Sequence, residues 1–360
     1  MRAAPCPATR AADLAACRAR LSGGSRTFLA ASLLLPARVR NHACALYAFC
    51  READDAIDAQ EGGPEAIESL RERLSLIYAG TPLPLATDRA LTDVVASCGV
   101  PRAFFEALLE GFEWDARGRR YETLEALHDY ATRVAGSVGA MMALVMGVRS
   151  PQGVARACEL GVAMQLSNIA RDVGEDGRMG RLYLPRQWLR EAGIDPDAWL
   201  AAPVFSPALG SVVQRVVCAA DLLYRRVDAG AACIPVACRP GIRAARLLYA
   251  EIGQQVLRNG LDSVSRRARV TRSRKLTLLL PTLVNPLAGG AAHAEPLAAT
   301  AFLVDAVRDA VGRDAVARES MHSRKNGRGM GGRVAWTIDL FTRLEQRDRA
   351  LSARGQPGGA

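Results

Sequence analysis

Asp54 and Asp58 stand four residues apart in the block Tyr47-Ala48-Phe49-Cys50-Arg51-Glu52-Ala53-Asp54-Asp55-Ala56-Ile57-Asp58. On a helix that spacing puts both carboxylates on one face, about one turn from each other. Cys44, Tyr47, Arg51, Asp54 and Asp58 follow the same three-and-four spacing and form one stripe. Gln165, Asn168, Asp172 and Asp176 form a second stripe within the block that runs from Gln165 to Asp176. Like charges so placed repel, and a helix that turns them inward needs cations to compensate. Magnesium takes hard oxygen ligands, accepts one or two carboxylates per ion, and keeps waters and phosphate oxygens in its other positions. Two facing stripes therefore predict a cluster of Mg2+, with Mn2+ as a substitute, that grips a diphosphate and assists its departure. A single Asp-x-x-x-Asp spacing usually marks a solvated face. Two stripes, each with an arginine within a turn (Arg51, Arg171), carry more weight.

Such stripes need long helices to hold them. Ala, Leu, Arg and Glu dominate the chain of 360 residues, and runs of strand-forming residues are scarce. Gly, Pro and Asp punctuation divides the sequence into helical segments over about 38–60, 65–79, 86–98, 101–116, 122–147, 151–176, 207–230 and 240–260, with a tight loop at 180–185. The expectation is an all-α fold. A flexible start over 1–20, a catalytic domain over 21–290 and a partly disordered, helical and Gly/Arg-rich extension over 291–360 complete the predicted organisation.

Composition narrows the partners. A formal net charge of +10 suits an anionic partner, whether a phosphorylated substrate, an acidic membrane surface or nucleic acid. Aromatic residues make up only 5% and no recognition signature is present, so nucleic acid is not expected. Nine cysteines are scattered without a C-x-x-C pair, which reads as buried thiols in a reducing compartment. Four widely separated histidines argue against a histidine zinc site. The longest apolar runs, near 135–148 and 276–288, are too short to span a bilayer. The expected location is the cytoplasm, with peripheral attachment to anionic membrane that salt weakens.

The two acidic blocks resemble the paired aspartate-rich motifs of the head-to-head prenyl synthases, the squalene and phytoene synthase family. Ser25-Arg26-Thr27-Phe28, Leu34-Leu35-Pro36, Ala45 through Arg51, Val134-Ala135-Gly136-Ser137-Val138-Gly139 and Asn168 through Pro185 resemble that family in order and spacing, over about 22–280. The resemblance implies a single-domain isoprenoid synthase helical bundle around a central cavity. It implies that Asp54, Asp58, Asn168, Asp172 and Asp176 hold metal–diphosphate, and that Arg51, Arg171 and Arg267 contact diphosphate oxygens. Ser25 and Arg26 would stand at the cavity mouth. Tyr47, Tyr130 and Tyr249 would line its polar upper part, and Phe28, Val134, Gly136 and Gln165 would contact substrate. Many relatives read Tyr-Cys-Tyr where this chain has Tyr130-Ala131-Thr132, which leaves position 132 without the second aromatic.

The reaction so implied is loss of diphosphate from one prenyl diphosphate and attack on the allylic cation by the double bond of a second. A cyclopropylcarbinyl diphosphate follows, then a second ionisation, rearrangement and proton loss. Farnesyl-using dehydrosqualene synthases carry bulky aromatics at positions that align with Ser32 and Cys44, so the small residues here imply a deeper cavity. Two C20 geranylgeranyl diphosphates are the implied substrates, with farnesyl diphosphate, or a non-catalytic relative, as the alternatives. Gly327-Arg328-Gly329-Met330-Gly331-Gly332 satisfies G-x-G-x-x-G but follows no buried strand, so no NADPH is expected. A downstream carotenoid desaturase is a further candidate partner.

Overall fold

The computed structural model describes residues 7–24, 26–58, 64–284 and 295–318. Among the described residues all regular structure is helical and there is no strand, in keeping with the all-α expectation. The helices are α1 (Pro7–Gly24), α2 (Arg26–Ser32), α3 (Ala37–Asp58), α4 (Pro64–Tyr78), α5 (Ala86–Cys98), α6 (Arg102–Ala116), α7 (Leu124–Ala131), α8 (Ser137–Val145), α9 (Pro151–Arg178), α10 (Arg186–Glu191), α11 (Pro196–Ala201), α12 (Pro207–Ala229), α13 (Arg239–Arg258), α14 (Arg272–Val284) and α15 (Ala301–Arg318).

The 28-residue α9 is the axis of the site. Ser150 caps it, its Oγ accepting the Gly153 N–H at 3.2 Å, and Pro151 supplies a first-turn residue that needs no donor. It packs against α8, α12 and α13. Two glycines make the first contact close. A Cβ at Gly139 would lie 2.2 Å from the Ala157 carbonyl oxygen, and one at Gly161 would lie 2.2 Å from that of Ala135. The backbones touch with nothing between them, which only glycine allows.

The predicted helix over 122–147 is interrupted by a π turn at Thr132–Gly136 between α7 and α8. One extra residue is accommodated there, and π turns of this kind are frequent at functional sites. The apolar periodicity on either side runs on, so sequence pattern alone does not reveal the insertion.

One expectation about organisation changes. Residues 1–20 were expected to be flexible, yet Pro7–Gly24 form a helix that packs on α3 and α5. Cys17 and Leu21 are fully buried, and Asp13 accepts two hydrogen bonds from Arg89, at 2.6 and 2.9 Å. Of the apolar run near 276–288, the described part belongs to α14, which ends at Val284. The expected boundary at 290 lies outside the described residues; beyond it, Leu303, Val304 and Val307 of α15 are buried, and the first compact unit continues to Asp314. The second unit, Ala315–Ala360, is described only to 318. The Gly/Arg-rich stretch and the G-x-G-x-x-G string lie outside the described residues. Five cysteines are buried, two are partly so and Cys218 is exposed, with no disulfide among the described residues.

Candidate active site

Helices α2, α3, α6, α8, α9 and α13 enclose two spaces that share Tyr47, Cys50, Val134, Val138, Gln165 and Asn168 as walls. One is apolar, about 300 Å³, and extends along α9 from Asn168 to Gly153. The other is polar, about 440 Å³, and gathers Arg51 and Asp54 from α3, Asp115 from α6, and Arg171, Asp172 and Asp176 from α9. Tyr47, Arg51 and Asp54 of the first stripe and Gln165, Asn168, Asp172 and Asp176 of the second thus line one space, and an apolar cavity adjoins it.

Charge in the polar space is arranged in clusters. Arg51 bridges Asp54 at 3.2 Å and Asp55 at 2.6 Å. Asp172 is clamped by two guanidiniums. Arg171 donates to its oxygens at 2.8 and 2.5 Å, and Arg267 at 2.6 and 3.1 Å. Arg267 also reaches Glu175 at 3.2 Å. Both guanidiniums are held by carboxylates, so a diphosphate would have to exchange with Asp172 for their contacts. Asp176 is pushed up to about 7, first by burial and then by the charge of Asp172.

Asp115 was not singled out in the sequence. It accepts hydrogen bonds from the Tyr130 and Tyr183 hydroxyls, each at 2.7 Å, and burial raises it to about 6. The Tyr130 and Tyr183 rings stack with centroids 5.1 Å apart, and Tyr121 lies 5.0 Å from Tyr130. Spacing carried a signal for Asp115: Leu108, Phe112 and Asp115 follow four-and-three spacing on α6, and all three line the polar space. Arg181 lines it too.

The other expected residues fall as follows. Phe28 and Ser32 line the apolar cavity, and Phe28 stacks on Tyr47 with centroids 5.5 Å apart. Tyr249 lines the same cavity, and Val134, Gln165 and Asn168 line both spaces. Ser25 lies outside the described residues. Arg26 opens α2 and Asp58 closes α3. Two residues differ from expectation. Cys44 is 2% exposed but does not line the cavity; it is packed in the same cluster as Cys17 of α1, and the α3 wall is Ala43, Leu46, Tyr47 and Cys50. The reason is α1, which covers the face of α3 that Cys44 occupies. Gly136 also lines neither space. A Cβ there would meet Thr132 at 3.3 Å and the Cys158 carbonyl oxygen at 3.5 Å, so its role is close packing within the π turn.

The donors suit a hard divalent cation: carboxylates of Asp54, Asp172 and Asp176 and the amide of Asn168. No group of three or more His, Cys, Asp or Glu among the described residues forms a ready ligand set.

A pH effect follows from Asp176. Its folded pKa lies above that of an unfolded aspartate, so the folded state holds a proton that the unfolded chain has lost. The stability cost is absent below the ordinary aspartate range, grows as pH rises from there to about 7, and is complete above it. Asp176→Asn is expected to exceed wild type in metal-free urea unfolding by clearly more at pH 8 than at pH 5. A gap that closes as pH rises contradicts this.

No described helix is long and apolar enough to cross a membrane. Residues 21–274 match the sequence profile of squalene/phytoene synthase. The chain is 47% identical to a phytoene synthase of Cereibacter sphaeroides, over 95% of this chain and 96% of that one. It is 48% identical to a phytoene synthase of Rhodobacter capsulatus, over 95% and 98%. Among solved structures it resembles a dehydrosqualene synthase in complex with ligand, with TM-score 0.69, 30% identity and coverage of 76% of this chain and 96% of that one.

Proposed function

The chain belongs to the squalene/phytoene synthase family, and on that premise we propose that it joins two geranylgeranyl diphosphates head to head, through prephytoene diphosphate, to phytoene, releasing diphosphate. The observation that carries the reading is one space lined by Arg51 and Asp54 from the first stripe and by Asn168, Asp172 and Asp176 from the second, adjoining an apolar cavity of about 300 Å³. Identity to phytoene synthases over nearly the whole chain supports the C20 substrate over the farnesyl alternative.

Asp54, Asp58, Asn168, Asp172 and Asp176 would hold divalent metal, which when bound supplies positive charge to the leaving diphosphate. Arg51, Arg171 and Arg267 offer planar, two-point contacts to phosphate oxygens. For Arg171 and Arg267 this means exchanging Asp172 for substrate. Tyr47, Tyr130 and Tyr249 place aromatic faces where cationic charge develops, which they stabilise without trapping it. Asp115 fixes the Tyr130 and Tyr183 rings by accepting a hydrogen bond from each hydroxyl. The apolar walls exclude water that would quench an allylic cation. G-x-G-x-x-G apart, nothing in the sequence suggests a reductant site, and no NADPH step is included.

Chain length tests the reading through Ser32, which is 2% exposed, lines the cavity and donates to the Leu29 carbonyl at 2.8 Å. Ser32→Phe fills tail space and is expected to shift the kcat/KM preference from C20 toward C15 diphosphate at least tenfold. Unimpaired C20 turnover in the folded variant contradicts it. Cys44→Trp, by contrast, crowds the α1–α3 contact.

The product partitions into lipid, the chain is basic, and α14 exposes Leu276 and Leu280 beside Arg272. Reversible attachment to anionic bilayers belongs to the same reading. Flotation with anionic liposomes should fall as salt rises, and indifference to lipid charge counts against it.

A further inference from the structure

The apolar cavity ends on a buried ion cluster. Arg156 lines its far end beside Gly153 and Gly230, sixteen residues from Asp172 along α9, or about 24 Å of helix. Arg156 is 6% exposed, and its Nη1 lies 2.6 Å from Oε2 of Glu159, whose side chain is wholly buried. The other Glu159 oxygen is 2.7 Å from Arg226 Nη2 of α12 and accepts the Leu297 N–H at 3.0 Å. Three segments of the fold therefore hold this charge in place. The Arg156 stem lies directly against Gly230, where a Cβ would come within 2.4 Å of its Cγ.

We propose that Arg156 is the length stop for the isoprenoid tail. The inference rests on the prenyl diphosphate reading of the site and adds the residue that limits how far the chain extends. A terminal methyl group can rest on the aliphatic stem of an arginine at no electrostatic cost. One more isoprene unit would have to displace a guanidinium from its buried carboxylate, leaving charge unpaired in an apolar enclosure. The penalty rises abruptly at one chain length, which is how a stop differs from a gradually narrowing wall. Removing Arg156 leaves Glu159 with Arg226 and the Leu297 N–H, so the carboxylate stays paired. Adding a methyl at Gly230 acts in the opposite sense by pressing the stem away from α12.

Dissociation constants for the unreactive thiolodiphosphate analogues of C15, C20 and C25 prenyl chains test this on full-length protein with Mg2+. Arg156→Ala should strengthen C25 relative to C20 at least tenfold, and Arg156→Lys should keep the wild-type order. Gly230→Ala should weaken C20 relative to C15 at least tenfold, and Gly230→Ala with Arg156→Ala should recover C20. Unchanged ratios in folded Arg156→Ala, or single variants that shift the same way, overturn the proposal. Should Arg156→Ala not fold, an unchanged ratio in Gly230→Ala overturns it alone. The order of affinities in the wild type tests the C20 reading, whereas the shift between variants tests the stop. Failure of all three analogues to bind wild type removes both.

Discussion

Asp172→Ala is expected to lower turnover about a thousandfold, which corresponds to about 4 kcal/mol of lost transition-state stabilisation. Asp172 is the carboxylate that meets both Arg171 and Arg267, with 15% of its side chain exposed. Its removal takes away a proposed metal ligand and the carboxylate that Arg171 and Arg267 share, leaving Arg267 with Glu175. The fold should survive, because the space is open to solvent and the backbone of α9 is anchored elsewhere. Asp305→Ala, on α15 with Arg308 as its partner, should leave turnover unchanged. Steady-state diphosphate release, beside a circular dichroism spectrum of each variant, reads the result. Near-normal turnover in folded Asp172→Ala refutes the assignment of this carboxylate.

Gly161→Ala should destabilise the protein by about 3 kcal/mol and impair turnover together. The added Cβ would meet the Ala135 carbonyl at 2.2 Å from oxygen and 2.6 Å from carbon. Both partners are backbone, so no rotamer change relieves the contact. Either α9 shifts or the π turn does, and the π turn carries Val134, a wall of both spaces. Gly23→Ala is the contrasting case. A Cβ there meets nothing within 4 Å, and helix propensity favours alanine by a few tenths of a kcal/mol to about 1 kcal/mol. Urea unfolding of the two variants should move in opposite directions, and equal stability of Gly161→Ala and wild type contradicts the close-contact account.

Much of this was legible because the chemistry repeats at helical spacing. Asp54 with Arg51, and Asn168 with Asp172 and Asp176, lie on stripes that a period of three and four exposes, and Gly or Pro marks the ends of their helices. Tertiary facts were hidden. Cys44 sits on the expected side of α3 by spacing, but α1 covers it, and nothing in residues 1–20 announces a buried helix beyond Leu14, Cys17 and Leu21 among alanines. A π turn adds one residue without disturbing apolarity on either side. Asp115 lacks an acidic neighbour on its own stripe; its partners are tyrosines from distant segments. Arg156 reads as a solvated charge in a long helix, because its burial depends on Glu159, Arg226 and the backbone at Leu297. Periodicity reports what one helix presents, while pairings between helices depend on the assembled core.

The central claim is that both acidic stripes serve one head-to-head condensation. Incubating purified protein with geranylgeranyl diphosphate and Mg2+, then analysing extracted hydrocarbon by mass and chromatography, tests it most directly. The account predicts phytoene as the dominant product, two diphosphates released per molecule, and no product in excess EDTA. Full activity in EDTA, or hydrocarbon formed from C15 in preference to C20 when both are offered, would contradict it.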